Sequence, residues 1–91
     1  MIEGWYYVYV LYSLLDKKMY IGYTPDNPFS RFEKHTIGEV PATAPRRPLK
    51  LIYFEAHLNR TDATRREKYF KTTAGKKTIH LILREFLKSP I

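Results

Sequence analysis

Residues 5–24 decide the fold, and they read WYYVYVLYSLLDKKMYIGYT. The first part, Trp5–Leu15, is dense in aromatic and β-branched residues, which favours a strand that is apolar on both faces. Residues 16–18 form a polar turn, and Met19–Thr24 resumes as a second strand. Two strands joined by so short a connection predict an antiparallel hairpin. Gly22 interrupts the second strand, which indicates a position where backbone or ligand must come close.

The segment after the hairpin predicts a helix from Pro28 to about Thr36, with Asp26 or Asn27 as the capping residue. Phe29 and Phe32 are three residues apart, and we expect their side of the helix to face the core.

Four more segments complete the predicted organisation. Residues 39–48 are rich in proline and predict an irregular, mobile loop. A third strand is predicted over Leu49–Ala56, and a helix over residues 62–71 with Thr61 as its cap. A last helix is predicted over residues 76–87. The order β-β-α-β-α-α is that of an α+β domain with a three-stranded antiparallel sheet flanked by helices.

Length and composition limit the class of protein. A chain of 91 residues is one domain, and its hydrophobic share of 44% suffices for one core. The absence of cysteine excludes a disulfide scaffold, a thiolate nucleophile and a cysteine-based zinc site. No apolar run approaches the roughly 20 residues that span a membrane, and the N-terminus lacks a signal-peptide pattern. We therefore expect a soluble cytoplasmic protein with no membrane partner.

The charge of the chain is strongly positive, with a formal net charge of +7 and a pI of about 9.7. Such an excess favours a polyanionic partner, with nucleic acid first and an anionic membrane surface second. The same charge can also serve solubility alone.

Glu67 is the most informative carboxylate in the predicted helices. It follows Ala63 by four residues and precedes Phe70 by three, which places it on or beside the buried stripe. A charge in that position needs a partner or a metal ion. Pairing with a neighbouring arginine, Arg65 or Arg66, is the simpler interpretation, and metal binding is the alternative.

Candidate tyrosine, arginine and histidine side chains lie in the predicted hairpin and in the helix after it. Tyr9 and Tyr20 lie on consecutive strands, where core packing is the ordinary role of an aromatic residue. Arg31 and His35 lie one helical turn apart, which also suits a solvated helix face. Taken together with Glu67, these groups suit phosphodiester hydrolysis. The arginine would stabilise phosphate charge, the carboxylate would hold hydrated Mg²⁺, and a tyrosine would help to remove a proton from water.

The predicted hairpin carries Tyr7-Val8-Tyr9 on its first strand and Tyr20-Ile21-Gly22 on its second, and with these the chain resembles the GIY-YIG nuclease superfamily over nearly its whole length. The YIG element is intact as Tyr20-Ile21-Gly22, and the GIY element takes the form Tyr7-Val8-Tyr9. Residues 46–55 and 65–72 are similar to the small stand-alone bacterial members of this superfamily. Agreement of several separated elements in the right order is more specific than one YIG element.

The resemblance implies one nuclease domain over residues 1–91 and assigns a role to each matching position. Tyr9 and Tyr20 would line the catalytic face, and Arg31 would lie near the scissile phosphate. His35 would occupy a position that the family often fills with His or Tyr, and Glu67 would bind one Mg²⁺ or Mn²⁺ ion. Gly22 would let the backbone approach the site. Other expected contacts to DNA, branched or damaged forms included, are Tyr23, Arg46, Arg47, Lys76 and Lys77.

Two departures from the family pattern bear on catalysis more than on fold. Tyr7 stands where the family has a glycine, and the connection over residues 25–28 is one residue longer than usual before Arg31. Two other functions therefore stay open at this stage. One is a nucleic-acid-binding module that has lost catalysis, and the other is a protein-interaction module whose partner supplies the target. The sequence leaves the oligomeric state and the identity of the basic tyrosine open.

Overall fold

A computed structural model describes residues 4–90 of the chain. It contains three strands, four helices and one 3₁₀ turn, in the order β1 (Tyr6–Ser13), β2 (Met19–Thr24), α1 (Pro28–Thr36), the 3₁₀ turn (Ala44–Arg46), β3 (Leu49–His57), α2 (Arg60–Phe70), α3 (Thr73–Ile82) and α4 (Arg84–Lys88). None of the helices in this part of the chain is both long and apolar enough to cross a membrane.

The three strands form one antiparallel sheet in the order β2-β1-β3, which confirms the predicted α+β architecture. In the β1–β2 hairpin, Tyr9 lies opposite Gly22 and Leu11 lies opposite Tyr20. Directly opposed residues share a face of the sheet. Tyr9 and Tyr20 therefore point to the same side.

The first strand ends earlier than predicted, because Ser13 closes the hairpin turn. The backbone N–H of Ser13 donates to the Lys18 carbonyl, and the Lys17 N–H donates to the Ser13 carbonyl. The Ser13 hydroxyl also accepts from the N–H groups of Leu15 and Asp16. These bonds turn the chain away from the sheet before Leu15, which is exposed.

The two faces of the sheet are covered by different helices. Val8, Val10 and Ile21 form the main apolar core with side chains from α2, α3 and the residue that follows α3, namely Ala63, Phe70, Ile79 and Leu83. Tyr7, Tyr9 and Leu11 alternate with these valines and point to the opposite face. That second face is covered by α1 and by the loop that follows it.

Helix α1 begins as expected but is rotated relative to the prediction. Asn27 caps it by accepting a hydrogen bond from the Phe29 N–H. Phe29 is 54% exposed, whereas His35 is fully buried. The prediction that Phe29 and Phe32 share the core-facing side is wrong for Phe29, whereas Phe32 is half-buried and His35 finds hydrogen-bond partners beneath the helix. Phe29 instead packs edge-on against the ring of Phe54.

The C-terminal helices differ from the prediction at their ends. Asn59, not Thr61, caps α2 by accepting from the N–H groups of Thr61 and Asp62. The predicted last helix is two helices, α3 and α4, which are separated at Leu83. Capping by Asn59 and the break at Leu83 both depend on local geometry that periodicity does not report.

A glycine allows α2 and α3 to meet closely. A Cβ atom at Gly75 would lie 1.7 Å from the carbonyl oxygen of Tyr69. Any side chain at this position would push α3 away from the end of α2. The close approach keeps Ile79 buried against the core.

The loop over residues 39–48 is irregular, as predicted, but it is tied to the rest of the domain. The Arg46 guanidinium donates to the Asp16 carboxylate at 2.7 Å and to the carbonyl of Lys18. Thr43 in the same loop is fully buried. These contacts hold the loop against the hairpin turn and α1, in contrast to the expected mobility.

Candidate active site

A chain of hydrogen bonds runs beneath α1. The Tyr9 hydroxyl lies 2.8 Å from Nε2 of His35, and Nδ1 of His35 lies 2.6 Å from Oγ1 of Thr43. Nε of Arg31 donates to the Tyr9 hydroxyl over 3.4 Å. Tyr9, His35 and Thr43 are all buried, and Arg31 is half-buried at the rim.

Tyr20 joins this group through its ring. Its centroid lies 6.5 Å from that of Tyr9 and 5.4 Å from that of His35, in tilted and edge-on arrangements that aromatic rings favour. We call these five residues the Tyr9 cluster: Tyr9, Tyr20, Arg31, His35 and Thr43. The structure thus brings together four of the predicted catalytic residues and adds Thr43, which no sequence pattern indicated.

Gly22 leaves space on β2 for a side chain of the neighbouring strand. A Cβ atom at this position would lie 2.3 Å from Cζ of Tyr9 and 2.4 Å from its hydroxyl oxygen. The missing side chain therefore makes room for the Tyr9 ring on the neighbouring strand. The phenol of Tyr9 thus comes close to the backbone at Gly22, while the expected approach of a ligand to this backbone stays a prediction.

The surroundings keep both titratable groups neutral at pH 7. Burial raises the pKa of Tyr9 more than the hydrogen bond from Arg31 lowers it, and the charges of Tyr20 and Glu67 add to the increase. Burial, and then the positive charge of Arg31, lower the pKa of His35 to about 4. A neutral imidazole can accept a proton from the phenol.

Glu67 lies on α2, which packs on the other face of the sheet, yet its charge acts on Tyr9. Its side chain is 20% exposed, and one oxygen accepts from the Lys71 ammonium at 3.1 Å. The expected pairing with Arg65 or Arg66 is wrong, because those side chains bind other carboxylates. In the described part of the chain, Glu67 therefore keeps acceptor capacity that no arginine takes up.

The donor set permits one kind of metal site. Among residues 4–90, no three His, Asp or Glu side chains lie together in a way that could hold a metal ion. Mg²⁺ commonly uses one or two carboxylates and keeps several waters, so a single partly exposed Glu67 fits such an ion. A dehydrated, all-protein cage does not fit.

A second polar cluster lies on the opposite face of the sheet. Glu55 accepts two hydrogen bonds from Arg66, at 2.9 and 3.1 Å, and one from the Tyr53 hydroxyl at 2.8 Å. His57 lies 3.2 Å from the same carboxylate. We call these four residues the Glu55 cluster. Tyr53, Glu55 and His57 alternate along β3, so period-two spacing was the signal that could have indicated it.

The Glu55 cluster holds its charges tightly. Burial acts to raise the pKa of Glu55, but the bonds from Arg66, Tyr53 and His57 keep it below its ordinary value. Burial and the neighbouring Glu55 raise the pKa of Tyr53 to about 12. This pattern is typical of a structural ion pair.

The predicted nucleic-acid contacts fall in separate places. Tyr23 lines an open groove of about 550 Å³ beside Arg31, together with Ser30 and Lys34. Arg46 is engaged by Asp16, which gives it a structural role that leaves little capacity for phosphate. Arg47 is exposed and donates to the Ala44 carbonyl.

The two predicted lysines lie away from the Tyr9 cluster. Lys76 and Lys77 are exposed on α3, which packs on the face of the sheet opposite to α1. Of the predicted contacts, Tyr23 is thus the one that shares a groove with Arg31.

Comparisons with known proteins identify the family of this chain. The family model described as GIY-YIG catalytic domain matches residues 5–80. A UPF0213 protein of Pediococcus pentosaceus is 43% identical over 72 residues, covering 78% of this chain and 73% of the relative. A UPF0213 protein of Clostridium perfringens is 35% identical over 83 residues, covering 90% and 87% of the two chains.

A UPF0213 protein of Staphylococcus aureus is also similar, with 35% identity over 78 residues that cover 85% of this chain and 93% of the relative. No solved structure gives a significant match. The matched segment contains β1, β2 and every residue of the Tyr9 cluster, as well as Glu67. The chain therefore belongs to the GIY-YIG catalytic domain family.

Proposed function

We propose that this protein is a metal-dependent endonuclease that hydrolyses phosphodiester bonds of DNA at the Tyr9 cluster and Glu67. The observation that carries the proposal is the Tyr9 hydroxyl, which lies between an arginine that can bind phosphate and a neutral histidine that can accept a proton. Membership of a nuclease family and the net charge of +7 support a polyanionic substrate.

Arg31 would bind the phosphate. Its bond to Tyr9 is long at 3.4 Å, and the side chain is half-buried beside an open groove. Turning the guanidinium towards a phosphate oxygen would replace this weak contact by charge-assisted hydrogen bonds. The same movement would uncover the Tyr9 hydroxyl and remove a positive charge from beside His35.

Tyr9 would then relay a proton. As the water oxygen bonds to phosphorus, a water proton passes to the Tyr9 oxygen, and the phenolic proton passes to Nε2 of His35. The bond from phosphorus to the leaving sugar oxygen breaks, and that oxygen takes a proton from solvent. The low pKa of His35 lets the imidazolium give up its proton again after the reaction.

Tyr20 and Glu67 would complete the site. Tyr20 packs against both Tyr9 and His35 and holds the two rings in place. Glu67 would hold the divalent ion through its partly exposed carboxylate. When bound, Mg²⁺ or Mn²⁺ would supply positive charge at the phosphate and orient a water molecule.

The test is cleavage of branched, nicked and duplex DNA with Mg²⁺ or Mn²⁺ by the intact protein and by Glu67→Gln. We expect cleavage by the unaltered chain and a loss of about a thousand-fold in Glu67→Gln, since metal-held charge provides several kcal/mol of transition-state stabilisation. Glu85→Gln is the matched control, because Glu85 also pairs with a lysine on one helix but is 75% exposed.

Three outcomes would contradict the proposal. Cleavage that persists in a chelator would exclude the metal, and undiminished cleavage by Glu67→Gln would exclude this carboxylate as its ligand. Salt-sensitive DNA binding without cleavage of any substrate would instead favour the module that binds nucleic acid without hydrolysing it.

A further inference from the structure

Thr43 ends the hydrogen-bond chain that begins at Tyr9. It lies in the loop between α1 and β3 and is fully buried. Its hydroxyl oxygen is 2.6 Å from Nδ1 of His35 and 3.5 Å from the carbonyl oxygen of Val40. The backbone N–H of Thr43 also donates to Val40, and the Arg46 N–H donates to the Thr43 carbonyl, so the residue is fixed on both sides.

The donors and acceptors allow one consistent direction along this chain. Within residues 4–90, the hydrogen-bond partners of the Tyr9 hydroxyl are Nε2 of His35 and Nε of Arg31. A guanidinium only donates, so the Tyr9 proton must be accepted by His35 Nε2. Neutral imidazole then carries its hydrogen on Nδ1 and donates it to Thr43, whose own proton points to Val40.

The opposite direction leaves a buried group unsatisfied. If His35 carried its hydrogen on Nε2, the Tyr9 oxygen would accept from both His35 and Arg31. The phenolic proton would then have no acceptor among the described residues, although Tyr9 is only 1% exposed. This tautomer would also prevent His35 from taking a proton from Tyr9.

We propose that Thr43 is a positioning residue that accepts the Nδ1 hydrogen of His35 and, together with the Tyr9 proton, holds the ring in the Nδ1–H tautomer, so that Nε2 stays available to the Tyr9 proton. The catalytic consequence rests on the proposed nuclease function, whereas the tautomer itself does not. Thr43 is fully buried and contacts His35, so its effect on the reaction would pass through the imidazole ring.

The first experiment reads the tautomer directly. Imidazole ¹⁵N chemical shifts are measured at neutral pH in the substrate-free protein labelled at histidine, with His35→Gln used to assign the signals among the three histidines. We expect the unaltered chain and Thr43→Ser to show the Nδ1–H tautomer. Thr43→Val removes the acceptor of the Nδ1 hydrogen at similar volume, so the preference for the Nδ1–H tautomer weakens and the population of the Nε2–H tautomer should rise measurably.

Thr43→Ala repeats the measurement with a smaller side chain that also lacks the hydroxyl, in case valine disturbs the fold. A folded Thr43→Val or Thr43→Ala protein that keeps the Nδ1–H tautomer to the same extent as the unaltered chain would overturn the proposal. An Nε2–H tautomer in the unaltered chain would overturn it as well.

The second experiment separates this inference from the proposed function. In DNA cleavage, Thr43→Val should lower kcat by about ten-fold with KM unchanged, and Thr43→Ser should restore it. A rise in KM with kcat unchanged would contradict a positioning role. Failure of Thr43→Ser to restore kcat would contradict it as well. If neither the unaltered protein nor any variant cleaves DNA, the nuclease proposal fails. The ¹⁵N result still decides the role of Thr43 in that case.

Discussion

The Tyr9 cluster and the Glu55 cluster contain the same three residue types on opposite faces of one sheet. Each has a strand tyrosine, a helix arginine and a histidine: Tyr9, Arg31 and His35 in one, and Tyr53, Arg66 and His57 in the other. The difference is the carboxylate. Glu55 lies among its partners and accepts from all of them, whereas Glu67 lies on another helix and, within residues 4–90, pairs with Lys71 alone.

This difference shows why residue types alone do not identify a site. In the Glu55 cluster, Arg66 donates two hydrogen bonds to Glu55. Its Cζ atom also lies 4.2 Å from the centroid of the Phe70 ring. In the Tyr9 cluster, Arg31 makes one long bond to a neutral phenol. Positive charge therefore remains available to a ligand at Arg31 and is neutralised internally at Arg66.

Replacing each of the two arginines by lysine should give the largest contrast in kcat/KM. Arg31→Lys keeps the charge but loses the planar fork that binds a phosphate through two bonds, and we expect kcat/KM for DNA cleavage to fall by about 100- to 1,000-fold. Arg66→Lys should leave kcat/KM within about two-fold. Steady-state cleavage at saturating Mg²⁺ measures both, and similar losses in the two variants would remove the distinction between the clusters.

The two tyrosines should differ next. Tyr9→Phe keeps the ring over Gly22 but removes the hydroxyl between Arg31 and His35, so we expect kcat to fall by about 100-fold. Tyr53→Phe removes one bond to Glu55, and kcat should stay within about two-fold. Full activity in Tyr9→Phe would mean that Tyr20, which also faces this side, activates the water.

The two carboxylates should show the reverse contrast in stability. Glu55→Gln leaves the half-buried Arg66 without its counter-charge, and we expect the free energy of unfolding to fall by about 2 kcal/mol. Glu67→Gln breaks a bond to an exposed lysine and should cost less than about 0.5 kcal/mol. Urea unfolding measures both values, and equal losses would show that Glu67 is also a structural ion-pair residue.

The smallest expected effect concerns pH and His35. Its pKa in the folded state is lowered to about 4, so between that value and its ordinary 6.5 the unfolded chain binds the extra proton. Stability is therefore greatest above the ordinary pKa and falls with decreasing pH, by about 1 kcal/mol from about pH 7 to about pH 5.5.

His35→Gln supplies the baseline for this measurement, since Glu55 and the other acids titrate in both proteins. The free energy of unfolding of the unaltered protein minus that of His35→Gln should decrease as the pH falls. A difference that stays constant over this range would show that His35 titrates normally in the folded protein.

The strands and their pairing could be predicted because hydrophobic patterning and a short polar turn act locally. The three strands and the antiparallel sheet follow from residues 5–24 and 49–56, and the helix over Pro28–Thr36 follows from its cap and proline. The rotation of that helix could not be predicted. Phe29 is the more apolar residue, but the hydroxyl of Tyr9 makes burial of His35 favourable, and that partner is 26 residues away in the sequence.

The site itself was only partly visible in the sequence. Tyr9, Tyr20, Arg31 and His35 do converge, but periodicity gave each of them an ordinary structural explanation. Thr43 was missed because it lies in a proline-rich loop, where no periodic pattern distinguishes a buried hydroxyl from an exposed one. Arg46 was expected to contact DNA, and only the folded hairpin brings Asp16 within reach of it.

Gly22 has a consequence for how related chains are compared. The space left by its missing side chain is filled by the ring of Tyr9, so the two positions form one steric unit across neighbouring strands. In related proteins they should therefore covary: a larger residue at one position requires loss or displacement of the ring at the other. A search that scores the pair jointly would separate chains that retain this packed phenol from those that keep only the motif letters.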